Sequence, residues 1–194
     1  MEFQEVVRRR RMVRNFDERP VPPDVLERIL ENALHAPSAG FSQGWGFLVL
    51  TEPDERARFW EAEWHVQPEQ FASGIQRAPV LIVCFSHKQA YLDRYAEPDK
   101  GWTDKKEKRW PVPYWHIDTG FAAMLMLLTA VDEELGAVFF GIFRADRVRK
   151  AFGVPKPFEP IGAIALGYRA PDQLSPSLKR GRRGADQVIH RGRW

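Results

Sequence analysis

Leu26, Ile29, Leu30, Ala33 and Leu34 recur at intervals of three and four, the spacing that sets side chains on one helical face. Pro20, Pro22 and Pro23 precede them and Asp24 adds a first-turn acid, so the pattern predicts a helix from about Pro23 to His35. Pro37, Ser38 and Gly40 break it, and the apolar run from Phe47 to Leu50 predicts a short buried strand. Asp54 to Glu63 reads as a surface helix, with Trp60 and Trp64 four residues apart and within packing reach. Val80 to Phe85 predicts a second buried strand. Residues 93–113 form a polar, proline-bearing stretch holding Trp102 and Trp110, the composition of a lid or binding loop. From Trp115 to Leu135 the chain is apolar on most helical faces, which predicts a helix buried in a core or a subunit interface. Gly136 ends that helix, Ala137 to Phe143 reads as a strand, Ala145 to Phe152 as a helix and Ile161 to Leu166 as a last strand. The sum is an α+β fold with a central sheet, followed by a tail without a core of its own that must dock elsewhere to be ordered.

A length of 194 residues suits a single domain spanning 1–194, with residues 171–194 as a C-terminal extension. Hydrophobic residues at 44% are enough for a real core. Cys84 is the one cysteine, so no internal disulfide is available, and its apolar surroundings suggest an inert buried thiol in a reducing, cytoplasmic compartment. No apolar stretch ahead of a cleavage site opens the chain, and the run from Phe121 to Val131 is too short to cross a bilayer, so no membrane association is expected. His35, His65, His87, His116 and His190 are scattered without ligand-like spacing, so no metal is expected. Neither a dinucleotide-binding glycine fingerprint after a strand nor a P-loop is present.

Charge changes the picture. Arg8, Arg9, Arg10, Arg11 and Arg14 crowd one end, and Lys179, Arg180, Arg182 and Arg183 the other; without these nine residues a chain of net charge +3 would stand at −6. Guanidinium groups offer a planar fork of donors suited to phosphate or carboxylate, so two such clusters can converge on one anion. A solvated patch or a nucleic-acid contact is the rival reading. Met12, Val13 and Phe16 interrupt the first cluster and Asp17 and Glu18 follow it, which fits a discrete phosphate better than a polyanion track, and no nucleic-acid partner is expected.

One short motif points to other chemistry. Gly40-Phe41-Ser42-Gln43-Gly44 matches the G-x-S-x-G nucleophile elbow, with Asp118 and His190 following in hydrolase order. That elbow joins a strand to a following helix, whereas here the segment leaves a helix and enters a strand, so a serine hydrolase is not supported.

The chain carries, in order, Arg10, Arg11, Met12, Val13, Arg14, Asn15, Phe16, then Pro20-Val21-Pro22, then Leu34 to Gly40, then Gln43 to Phe47. The series continues through Asp118-Thr119-Gly120, Glu134-Leu135-Gly136, Pro160 to Tyr168 and the closing residues from Arg180 to Trp194. In these motifs the chain resembles the FMN-dependent nitroreductase family. The resemblance implies an intertwined homodimer with an exchanged C-terminal tail, a mostly antiparallel sheet flanked by helices, and FMN at the dimer interface. It implies that Arg10 and Arg14 meet the flavin phosphate together with Arg180 and Arg182. Arg11 and Met12 would line the ribityl chain and ring edge. Pro37, Ser38, Ala39, Gly40 and Gln43 would belong to the cofactor-binding loop, and Phe140 and Gly141 would bring backbone to the ring.

The implied activity is electron transfer from NAD(P)H through FMN to a nitroaromatic, quinone or similar small acceptor, with no dedicated acid-base side chain because the flavin performs the chemistry. Trp102, Trp110, Tyr114 and Trp115 are candidate walls for a planar substrate, core packing being the alternative. Met12, Phe41 and Gly44 depart from the family's usual hydroxyl residue, Asn and Pro. The same fold also admits dehalogenation, metabolite oxidation, deazaflavin use, or flavin binding without turnover.

Overall fold

β2 (Val80–His87) explains why an uninterrupted apolar run can be a strand. Val80, Ile82 and Cys84 join one hydrophobic cluster, while Leu81, Val83 and Phe85 join the other, so both faces are covered. In this computed structural model, which describes residues 1–63, 70–171 and 175–194, β2 is flanked by β1 (Trp45–Leu50) and β4 (Phe158–Gly167). With β3 (Gly136–Phe140) outside β4, the order is β1-β2-β4-β3 and every pairing is antiparallel.

One face of the sheet is covered by α2 (Pro23–Leu34) and α6 (Tyr114–Asp132). Leu26, Ile29 and Ala33 of α2 meet Ala122, Ala123, Met126 and Ala130 of α6 over Ile82, Ile164 and Leu166. Leu34 lies off the buried stripe and is exposed. The other face carries α3 (Pro53–Glu63), α4 (Gln70–Gln76) and α7 (Ala145–Ala151), with Phe59, Trp60, Ile75 and Val148 over Leu81, Val83 and Ala165. α3 is therefore half buried rather than a surface helix; Trp64, its expected packing partner for Trp60, lies outside the described residues.

α4 is one of three helices that stand where the pattern predicts none. α1 (Phe3–Arg9) buries Val6 alone and so has no repeating apolar face to read. α5 (Lys88–Ala96) occupies the start of the expected loop, which is thereby shortened to residues 97–113 with one 3-10 turn at Glu107–Arg109. Gly136 begins β3 rather than ending α6. The terminator is Glu134 in the left-handed region at φ 61°, with Leu135 N–H donating to Ala130 O at 2.7 Å. Among the described residues no helix is long and apolar enough to cross a membrane.

Candidate active site

The arginine segment is held against the sheet edge. α1 ends as Arg10 N–H donates to Val6 O, the chain turns extended, Met12 bridges Ala137 in parallel and Val13 N–H reaches Ala137 O at 3.0 Å. Val13 and Phe16 are buried in the core, while Arg10 ahead of them and Arg14 between them are only partly exposed, so the apolar interruptions fix the backbone that carries the cations. Arg14 Nη1 donates to Met12 O at 3.2 Å. Arg9 pairs with Glu5, whereas none of the ion pairs among the described residues uses Arg10, Arg11, Arg180 or Arg182.

The loop from Pro37 to Gly44 is fastened on two sides. Buried Asp118 of α6 accepts the N–H of Ala39 and the hydroxyl of Tyr91, each at 2.8 Å on the same oxygen. Burial, and after it the Asp118 carboxylate, push the Tyr91 hydroxyl well above its usual range. Arg94 Nε donates to Gly40 O at 2.9 Å while its other nitrogens grip Asp99. Glycine is required at position 40, where φ is 62° and an added Cβ would stand 2.7 Å from the Tyr95 ring. Phe41 follows at φ 56° with 73% of its surface exposed. That pairs backbone strain with no burial to offset it inside the chain.

β3 delivers Phe140 and then Gly141, around which no atom lies within 4 Å of an added Cβ. The chain's own packing thus gives no reason for glycine there; open space for an approaching group does. The arginine segment lies along the first residues of this same strand, so β3 joins the cationic segment to the open glycine.

The tail starts beside the arginines. Phe16 bridges Arg169, Ala170 N–H donates to Asn15 O, and Asn15 Nδ2 donates to Pro171 O. Beyond that root, residues 176–194 are exposed, including Leu178, Val188, Ile189 and Trp194. Among the described residues, no hydrogen bond or ion pair of Arg180 or Arg182 reaches Arg10.

The candidate substrate walls sort differently. Trp110 is the hub of an aromatic cluster, with ring centroids 4.5 Å from Tyr95, 5.6 Å from Trp102 and 5.7 Å from Tyr114. Trp115 is 4% exposed and is committed to the interior. Its Nε1 can only donate, so His116 Nε2 accepts at 3.2 Å and Nδ1 carries the proton toward Ser86 Oγ at 2.9 Å, which donates on to Glu159 O. Ser42 Oγ donates to Ala39 O, and His190 stacks on Trp194 in the tail, so no hydrolase triad assembles. A cleft of about 400 Å³ between α1, α2 and α6, lined by Phe3, Asn32, His35 and Leu128 among others, contains none of the expected site residues.

Tyr91 and Arg94, which fasten the loop, are not anticipated from sequence, nor is Glu63, a buried carboxylate that accepts the N–H groups of Phe143 and Arg144 just past β3. Glu63 shares a helical face with buried Phe59 and Trp60, four and three residues back, and that placement is the signal which marks it as inward-facing.

Residues 7–168 match the model of the nitroreductase family. The chain belongs to that family. An NADH dehydrogenase from Thermus thermophilus is 29% identical over 182 residues, covering 84% of each chain. An iodotyrosine deiodinase from Haliscomenobacter hydrossis is 25% identical over 209 residues, covering 97% of this chain and 89% of the relative. A Desulfovibrio desulfuricans chain solved in complex with FMN shares the fold at a TM-score of 0.75 and 23% identity, covering 100% of this chain and 98% of that one. This nitroreductase-family chain is accordingly an oxidoreductase with the four-stranded antiparallel sheet and flanking helices described above.

Proposed function

We propose that this chain is an FMN-dependent oxidoreductase that passes electrons from NADH or NADPH to a nitroaromatic, quinone or similar acceptor, the two reactants using one pocket in turn. The observation that carries the reading is β3, which has the Arg10–Arg14 segment along its start and Gly141, open to an incoming group, just past its end. The residues fit the cofactor. Arg10 and Arg14, with Arg180 and Arg182 of the tail, hold the phosphate by charge-assisted hydrogen bonds. Arg11 and Met12 would line the ribityl chain and ring edge, Pro37 to Gly40 with Gln43 would form the loop along the ring, and Phe140 and Gly141 would present backbone to it. Bound FMN supplies the two-electron chemistry, and the protein's part is to bind, orient and exclude water.

The site is completed by a second copy. Ile117, Phe121 and Met124 form an exposed stripe on α6, next to Gly120, a mid-helix glycine with open space around it. A glycine there costs about 1 kcal/mol of helix propensity and flattens the surface for close approach. Together with the exposed tail, this supports a homodimer with exchanged C-terminal segments. Cys84, buried in β2 with its thiol pushed up to about 12 by burial, fits a cytoplasmic setting. A second reading, reductive dehalogenation on the same flavin, is favoured by the similarity to the iodotyrosine deiodinase.

The visible spectrum of the purified protein tests the main reading. The expected result is yellow absorbance released by denaturation as FMN, bleached anaerobically by NADH or NADPH and restored by a nitroaromatic or quinone. A colourless protein that takes up no added FMN overturns it; restoration by an iodinated phenol alone selects the second reading.

A further inference from the structure

Glu63 is a buried carboxylate with no part in the chemistry above. It closes α3 at 2% exposure, and both of its oxygens face backbone: Oε1 accepts the N–H of Phe143 at 2.6 Å and Oε2 that of Arg144 at 3.0 Å. Burying a carboxylate is far more costly than burying a hydrocarbon, and an apolar residue would pack α3 against α7 with less penalty. What the carboxylate does is hold backbone. The Phe143 ring is 85% exposed and Arg144 is exposed as well, so side-chain packing within the chain does not fix these two residues.

The consequence falls on the residues between two anchors. Phe140 is held by its pairing with Ala163, and Phe143 is held by Glu63, leaving Gly141 and Ile142 stretched between them. We propose that Glu63 is a positioning residue, which through Phe143 and Arg144 sets where the backbone of Gly141 and Ile142 stands against the bound flavin. This rests on the FMN reading above. A carboxylate with two acceptor oxygens suits the task, whereas the amide of glutamine offers one.

The test compares Glu63→Gln with Val148→Ala, a cavity variant in the same α3–α7 contact that serves as a stability-matched control. In cofactor-free protein, Glu63→Gln is expected to speed hydrogen exchange at the Phe143 and Arg144 amides about tenfold or more, leaving β2 amides unchanged. In FMN-loaded protein it should lower the rate of flavin reduction by nicotinamide about tenfold to a hundredfold and shift the flavin midpoint potential, while Val148→Ala changes neither. Should Glu63→Gln fail to fold, Glu63→Asp, which keeps the charge on a shorter stem, is read the same way. Exchange that quickens with rate and potential matching Val148→Ala would show a purely structural residue and overturn the proposal. Wild-type protein that binds no FMN overturns the flavin reading itself, a result visible before any variant is made.

Discussion

Asp118 accepts the backbone N–H of Ala39 at 2.8 Å, tying the second turn of α6 to a loop 79 residues earlier in the chain. With Tyr91 donating to the same oxygen, one carboxylate sets both the loop and the helix beneath it. Asp118→Asn leaves one neutral amide oxygen in place of the charged acceptor that both donors share, which should cost about 1 to 3 kcal/mol of stability. It should also weaken FMN binding more than the stability loss explains. Urea unfolding and a flavin titration on one preparation check both.

Arg10→Ala and Arg182→Ala should each weaken FMN binding about tenfold or more, the loss expected for one charge-assisted hydrogen bond to phosphate. Riboflavin, which lacks the phosphate, provides the contrast: its affinity should be the same in both variants and the wild type. Unchanged FMN affinity in both variants would refute the shared phosphate site.

Removing residues 175–194 should leave the sheet intact, because the pairing of Asn15 with Ala170 lies before the cut. The truncated protein is expected to lose FMN and to dissociate in sedimentation velocity at micromolar concentration. A dimer that keeps its flavin would count against an exchanged tail.

Phe41 at φ 56° predicts a gain from relaxing the backbone. Phe41→Asn should raise the stability of cofactor-free protein by about 1 kcal/mol, a shift of roughly 2 to 4 °C in a chain of this size, because asparagine tolerates the left-handed region. Differential scanning calorimetry would settle the sign.

Burial holds His116 below its ordinary value of about 6.5, so the unfolded chain binds that proton more readily than the folded one. The contribution is present above about pH 6.5 and is lost as the pH falls through the folded value. Protonation also forbids Nε2 from accepting the Trp115 indole N–H. Denaturation midpoints from pH 7.5 to 5 should fall more steeply in wild type than in His116→Gln.

The residues that pack were the most readable. Leu26, Ile29 and Ala33 sit where their spacing puts them, and the run Val80 to Phe85 is a strand whose continuity reflects cover on both faces. The helices α1 and α5 escaped because their stability comes from a few tertiary contacts, Val6 in one and Tyr91 with Leu92 in the other, rather than from a repeating stripe. Site residues divide along the same line. Arg10 to Arg14 announce themselves by charge interrupted with apolar positions. Asp118 and Glu63 act on backbone groups 79 and 80 residues away, and nothing local in the sequence encodes that distance.

The aromatic cluster around Trp110 has an optical consequence. Trp102 and Trp110 stand 5.6 Å apart at 71°, close and crossed enough for their excited states to couple. Their near-ultraviolet circular dichroism therefore reports the ordering of residues 97–113 without any label, against five other tryptophans in the chain. Any reordering of that stretch on loading with the proposed cofactor would be visible in that signal from the protein's side, independently of the flavin's colour.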